Sequence, residues 1–177
     1  MPAKHPLLVF QIQKQKRLDS ALTGEGTRRT GGRWNQMDVP LIYASALPEL
    51  AFLETFVHLY RTSLADLPPF VLLTLAVPTG ALETVGPTDL PPGWSQRPYP
   101  DVTSQFQRTR LLANDPALAF SESSVILPGS PTRNALINPW HCRMREGHIV
   151  ATAALEFDEP LQPALPAELA RHRSRKK

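Results

Sequence analysis

Apolar residues in this chain gather in short runs set apart by proline, glycine and charge, and the runs are of two periods. Leu7 to Ile12 (LLVFQI), bounded by Pro6 and a basic QKQK run, reads as a first strand. Leu41 to Ala44 reads as a second, and Val125 to Leu127 and His148 to Phe157 as two more. Phe70 to Val77 (FVLLTLAV) is continuously apolar, which predicts a central strand buried on both faces. Helical spacing appears after Pro48, where Leu50, Leu53, Glu54, Val57 and His58 share one stripe. Phe52, Phe56 and Leu59 make the other side apolar, so this helix is expected to be covered by protein all round. Pro48 suits its first turn, and Glu49 suits the positive end of its dipole. A further helix and a short connection are predicted over Thr103 to Ala119, and a weak one at PAELARH near the end.

Between these runs the chain is punctuated. Residues 18–29, with GEG at 24–26, read as a loop or short helix leading to Gly31-Gly32, a pair that allows close backbone approach. Residues 78–104 hold six prolines together with Trp94 and Tyr99, a composition that excludes helix and inner strand. It predicts a long surface excursion, either a lid or an inert stiff loop. Ser121 to Ser124 enter the strand at 125–127, and Gly129 to Pro139 form a polar loop in which Asn134 and Asn138 can bond to backbone.

The one stretch where apolar order and polar chemistry coincide is Gly31 to Glu54: a glycine-loosened loop, a short strand, then the helix. Arg33, Tyr43 and Glu54 stand out in it. A carboxylate on an apolar stripe costs energy unless it finds a partner. Glu54 is therefore either salt-bridged inside the fold or lining a cleft.

Length and composition narrow the setting. At 177 residues, 42% hydrophobic and 20% charged, residues 1–170 are most simply one globular domain. No apolar run reaches the roughly 20 residues of a membrane helix. The segment MPAKHPLLVFQIQK has too short an apolar core for a signal peptide. The single cysteine, Cys142, excludes an intrachain disulfide and fits a reducing cytoplasm. The pI of 9.3 is an effect of the ends. The tail RHRSRKK at 171–177 carries five Lys or Arg and reads as a solvated, disordered end, leaving −2 on residues 1–170. Residues 1–33 carry +5 and residues 34–170 carry −7, so the body is no nucleic-acid surface. The N-terminal excess runs into Arg28, Arg29 and Arg33, where a phosphate-bearing ligand is welcome. No P-loop, zinc-spaced Cys and His cluster or internal repeat is found.

The run GGRWN, then Tyr43, then Leu53-Glu54 with Val57-His58, resembles the signature of the RES domain family. Ser124-Val-Ile-Leu-Pro128 and Asn134-Ala-Leu-Ile-Asn138-Pro139 follow in the family's order, and together the blocks span residues 24–139. The chain resembles a divergent member. Gln11 stands where the family often has Arg, Gln36-Met37-Asp38 replace its usual Pro and Gly, and Gln107, Arg108 and Arg110 fall where a Gly-Asp-x-x-Trp-like element is common. The resemblance implies an α/β, strictly α+β, fold with a compact mixed sheet and flanking helices, like that of ADP-ribosyltransferases. It implies NAD+ as substrate with no metal, cleavage of the nicotinamide–ribose bond, and a toxin of a type II toxin–antitoxin pair. The expected partner is an Xre-type helix-turn-helix antitoxin, with a homodimer possible in a larger complex.

The residues can be set against that chemistry. Cleaving an N-glycosidic bond develops positive charge on the ribose, which calls for a carboxylate, and Glu54 is the motif's only acid. Arg33, with Arg28 near, offers bidentate donors for the pyrophosphate. Tyr43, or Trp34 in reserve, offers a ring face to the cationic nicotinamide. Ser124, with Ser123 as the register alternative, and Asn138 offer neutral hydrogen bonds. A single carboxylate suits dissociative cleavage, with water or phosphate as acceptor (glycohydrolase or phosphorylase). Phe52 stands where arginine-modifying transferases carry a second Glu, so ADP-ribosyltransferase activity is less favoured. Two other readings remain: a catalytically degenerate RES domain serving as an interaction module, and nucleic-acid binding through the basic ends.

Overall fold

A computed structural model describes residues 5–59, 67–78, 82–113, 117–127, 129–146 and 148–156. The basic tail 171–177 and the expected helix at PAELARH lie outside the described residues. The first strand, β1 (Leu7–Lys14), passes through a 3-10 turn over Gln15–Ser20 into a short helix, α1 (Glu25–Thr30). Next come β2 (Ile42–Ser45), the helix α2 (Pro48–Phe56) and β3 (Phe70–Val77). A short β4 (Leu82–Thr84) precedes α3 (Asp101–Leu111), and the chain ends in β5 (Ala119–Ser123), β6 (Arg133–Ile137) and β7 (His148–Leu155).

The strands form one seven-stranded sheet in the order β4-β5-β6-β2-β1-β3-β7. Only β4 and β5 pair in parallel, so the sheet is mixed and the fold α+β. Strand alternation gives each face its own core. Val9, Ile42, Ala44, Val71, Leu73, Leu75, Ala135 and Ile137 pack on one side with Ala21 of the turn that follows β1. On the other side Leu41, Val85, Leu90, Leu111, Phe120 and Leu136 pack with Trp34 and Tyr43. That second face is roofed at one end by α2, over β1 and β2, and at the other by α3, whose Arg110 guanidinium lies 5.0 Å from the Phe120 ring.

Four expectations need correction. The strand expected at 125–127 lies instead at Ala119–Ser123. The Ser124 hydroxyl accepts the backbone N–H groups of Ile126 and Leu127, which takes those donors out of the ladder and ends the strand. The run 70–77 is buried but not central, being sixth of seven strands with β7 across its outer edge. Within 78–104 a short edge strand forms at β4, and α3 opens directly after Pro100, because the prolines stop there. Finally, α2 is not covered all round: only Leu50 and Ala51 are buried, the helix stops at Phe56, and His58 beyond it is exposed.

Candidate active site

The site forms on the second face, in the gap between α2 and α3. Its floor is one row of the sheet, in which Ser45 of β2 is the cross-strand partner of Asn134 of β6, and Asn134 that of Glu122 of β5. Glu54 reaches this row from the last turns of α2. Its Oε1 accepts two hydrogen bonds, from Ser124 Oγ at 2.8 Å and from Asn134 Nδ2 at 2.7 Å. Each donor is itself fixed. Ser124, 3% exposed, receives the Ile126 and Leu127 amides on its oxygen, which turns its proton toward Glu54. The Asn134 carbonyl receives the Ser45 hydroxyl at 2.7 Å, which sets its amide the same way. Donors held in place before a ligand arrives favour the ionised carboxylate. Glu54 is thus neither salt-bridged nor in plain water: its partners are neutral.

Arg33 and Tyr43 come from the loop and strand just before α2. The Tyr43 hydroxyl donates to Asn35 Oδ1 at 2.8 Å and accepts the Trp34 N–H at 3.1 Å. Burial raises its ionisation well above the usual tyrosine range, so the phenol stays neutral. Asn35, 1% exposed, also donates to the carbonyls of Thr27 and Val39, both at 2.9 Å, and so ties α1, the loop and β2 into one body. Gly32 is required here: a Cβ on it would stand 2.8 Å from the Tyr43 oxygen. Gly31, which ends α1, has φ 65°.

The Arg33 guanidinium is half-buried within electrostatic reach of Glu54. Its Nη1 donates to the carbonyls of Trp94 and Gln96, and its plane lies 5.1 Å from the Tyr99 ring. Burial, with Arg97 nearby, pulls its ionisation below the ordinary arginine value. The proline-rich excursion therefore closes on the site through Arg33. Trp94 also meets Trp34, 4% exposed, with ring centroids 6.0 Å apart.

The structure brings Glu54, Ser124, Arg33, Tyr43 and Trp34 to one region, and leaves three other candidates elsewhere. Ser123 points to Arg133 Nη1, 3.4 Å away, so the serine at Glu54 is Ser124. Asn138 sits four residues along β6, where its amide contacts the Leu111 carbonyl and the Trp140 N–H. Arg28 is held by Glu25 at 2.8 Å and Asp38 at 3.2 Å, and Arg28 with Arg29 draws the Glu25 carboxyl down to about 2. Sequence reasoning gave Asn134 only a loop role and missed Asn35 and Glu122. Read with β5 starting at Ala119, the alternation puts Glu122 on the face of Phe120. Among the described residues no group of His, Cys, Asp and Glu is arranged to hold a metal, and no helix is long and apolar enough to cross a membrane. An apolar hollow lined by Ile12, Phe52, Phe56, Phe70 and Leu155 offers no ionisable group.

The class defined so far is an α+β domain whose sheet floor fixes one buried-edge glutamate with a serine and an asparagine, facing an arginine. Comparison with known proteins gives the family. The RES domain profile matches residues 8–158, and the chain belongs to this family. It is 30% identical over 135 residues to "Toxin Res" of Yersinia enterocolitica serotype O:8, covering 76% of this chain and 86% of that one. It is 38% identical over 130 residues to the "Prs ADP-ribosylating toxin" of Sphingobium sp. strain YBL2, covering 68% and 73%. "Toxin Res" of Photorhabdus laumondii is 26% identical over 133 residues, covering 75% and 82%.

Proposed function

We propose that this protein is a toxin that consumes NAD+ by breaking the nicotinamide–ribose bond. The observation that carries the reading is the Glu54 carboxylate, bonded by Ser124 and Asn134 at 2.8 and 2.7 Å and facing the Arg33 guanidinium. As nicotinamide leaves with the bonding pair, positive charge grows on the ribose, and a fixed carboxylate stabilises it without having to reorganise. Arg33 spends Nη1 on the excursion and keeps its other donors for the diphosphate. Tyr43, its hydroxyl tied to Asn35, holds its ring at a set angle for the flat nicotinamide. Relatives named as toxins, one of them ADP-ribosylating, support the same first step.

The acceptor that follows is water or phosphate. Transfer to a protein is the second reading, favoured by the name of the Sphingobium relative. An Xre-type helix-turn-helix antitoxin is the partner we expect to silence the protein, with a homodimer inside the complex and the cytoplasm as the place of action. The test is nicotinamide release from NAD+ by partner-free protein beside Glu54→Gln. Loss of about 100-fold or more in the variant supports the reading, because a misplaced charge at the transition state costs on this scale. Equal release by the two proteins, or equal toxicity when expressed, would refute it.

A further inference from the structure

The cleavage just described gives Glu122 no part, yet this side chain is fully buried and neither carboxyl oxygen has a hydrogen-bond partner in the protein. It is not isolated. The C-terminal end of α3 lies at the start of β5, since Asn138 binds both the Leu111 carbonyl through its amide side chain and the Leu118 carbonyl through its backbone. The other end of α3 follows Tyr99, which lies against Arg33. The helix therefore runs antiparallel to β5, and its middle passes over Glu122. Thr103, Gln107 and Arg110 are spaced to share one side of it. Six polar atoms of these four residues are buried without a protein partner: Thr103 Oγ1, Gln107 Oε1 and Nε2, Arg110 Nε, and both oxygens of Glu122. Native interiors satisfy such groups, and where protein does not, ordered water does. The space between α3 and β5 is a water-holding chamber with a carboxyl group in its floor.

The chamber adjoins the cleavage site. Glu122 and Asn134 are direct cross-strand partners on the same face, with Cβ atoms about 5 Å apart by sheet geometry. Asn134 gives one N–H to Glu54, and its second has no partner. Only this one side chain separates the two carboxyl groups.

We propose that Glu122 is the second acid of this site, the base that takes a proton from chamber water as that water attacks the ribose, so that the reaction is hydrolysis. The inference rests on the NAD+ reading and names its acceptor. The bond from ribose C1′ to nicotinamide breaks with its electron pair leaving on neutral nicotinamide. The water oxygen bonds to C1′, and its proton passes to the Glu122 carboxylate and later to solvent. The products are nicotinamide, ADP-ribose and one proton. Glu54 stays ionised throughout and stabilises the cation. Two carboxyl groups with a water between them are the arrangement that inverting glycosidases use. Charge also selects the acceptor: neutral water can approach two carboxylates that repel a phosphate dianion. The neighbouring cations are occupied, Arg110 by Glu83 and Arg133 by the carbonyls of Val85 and Ser121.

Burial holds the Glu122 carboxyl up at about 8, against the pull of Arg110 on α3 and Arg133 on β6 and with the push of Glu83 on β4 and Asp89 after it. A base so placed is switched off by protonation as the pH falls below about 8.

The experiment follows NAD+ consumption by the full chain, freed of any partner, from pH 6 to pH 9.5, with and without inorganic phosphate. Wild-type release is expected to rise with pH to a plateau, give ADP-ribose, and ignore phosphate. Glu122→Gln should lower kcat by about 100-fold, the scale of general-base catalysis, and flatten the pH profile while leaving KM for NAD+ nearly unchanged. Glu122→Asp, which keeps an acid in the chamber, should restore the pH dependence and part of the rate, and it serves as the test if the glutamine variant does not fold. A folded Glu122→Gln protein with wild-type kcat and pH profile overturns the proposal. So does release that requires phosphate and yields a phosphorylated ADP-ribose. Absence of release from wild type overturns the NAD+ reading itself, and this inference with it, before any variant is made.

Discussion

Two carboxyl groups stand on either side of Asn134 and live under opposite rules. Glu54 reaches the sheet from a helix edge, is partly exposed, and takes two neutral donors on one oxygen. Glu122 rises from the sheet floor, is fully buried, and takes none. Donors on a carboxylate offset part of what desolvation costs, so a carboxyl group provided with them can remain charged. Without them burial alone acts, and Glu122 keeps its proton to about 8. One row of a sheet thus presents a fixed negative charge beside a proton-exchanging group. The difference between them comes from partners rather than from residue type.

The comparison can be broken at its buried end first. The Glu122 carboxyl is held at about 8 when folded against 4.5 as its ordinary value. The folded state therefore binds the extra proton between those values, and stability should fall as the pH rises from about 4.5 to about 8. At 1.36 kcal/mol per unit the loss is on the order of 4 kcal/mol. Denaturant unfolding at pH 5 and pH 8.5 measures it. Glu122→Gln should remove most of the slope, and an unchanged slope in that variant would assign the pH dependence to other groups.

A smaller effect is expected from the residue between the two acids. Asn134→Ala removes one charge-assisted bond to Glu54, worth about 1.5–3 kcal/mol. Nicotinamide release should drop roughly 10- to 150-fold on that scale, with the pH profile kept. A flattened profile in Asn134→Ala would mean that Glu122 acts through Asn134 rather than through water. The smallest effect is expected at Arg28→Ala. Arg28 is tied to Glu25 and Asp38 at the surface, so the loss should stay under about 1 kcal/mol in unfolding, with KM for NAD+ unchanged. A large rise in KM would return Arg28 to the site.

Legibility in the sequence followed the range of the interaction. The loop, strand and helix of residues 31–54 were readable because glycine, a short apolar run and Pro48 act on their own neighbours. Family resemblance pointed to Glu54, Arg33, Tyr43 and Ser124 as residue types in order, but not to what they touch. The strand at 119–123 was misplaced by several residues, because Ser124 diverts two amides after it and no apolar period marks that boundary. Glu122 was missed for the same reason: its face is fixed only once the strand is placed correctly. Gln107 and Arg110, seen only as departures from the family's pattern, take their meaning from lying over it.

The sequence by itself determined the mixed α+β class, the buried run at 70–77, the acidic body with basic ends, and the glutamate on an apolar stripe, all consequences of local period and composition. Tertiary structure alone decided that Glu54 meets Ser124 across 70 residues and Asn134 across 80, that Asn138 and Arg28 stand apart, and that Glu122 shares a row with Asn134. The physical reason is register. Which strands pair, and residue against residue how, is set by the fit of two cores on opposite faces of one sheet, and no local stretch of chain contains that fit.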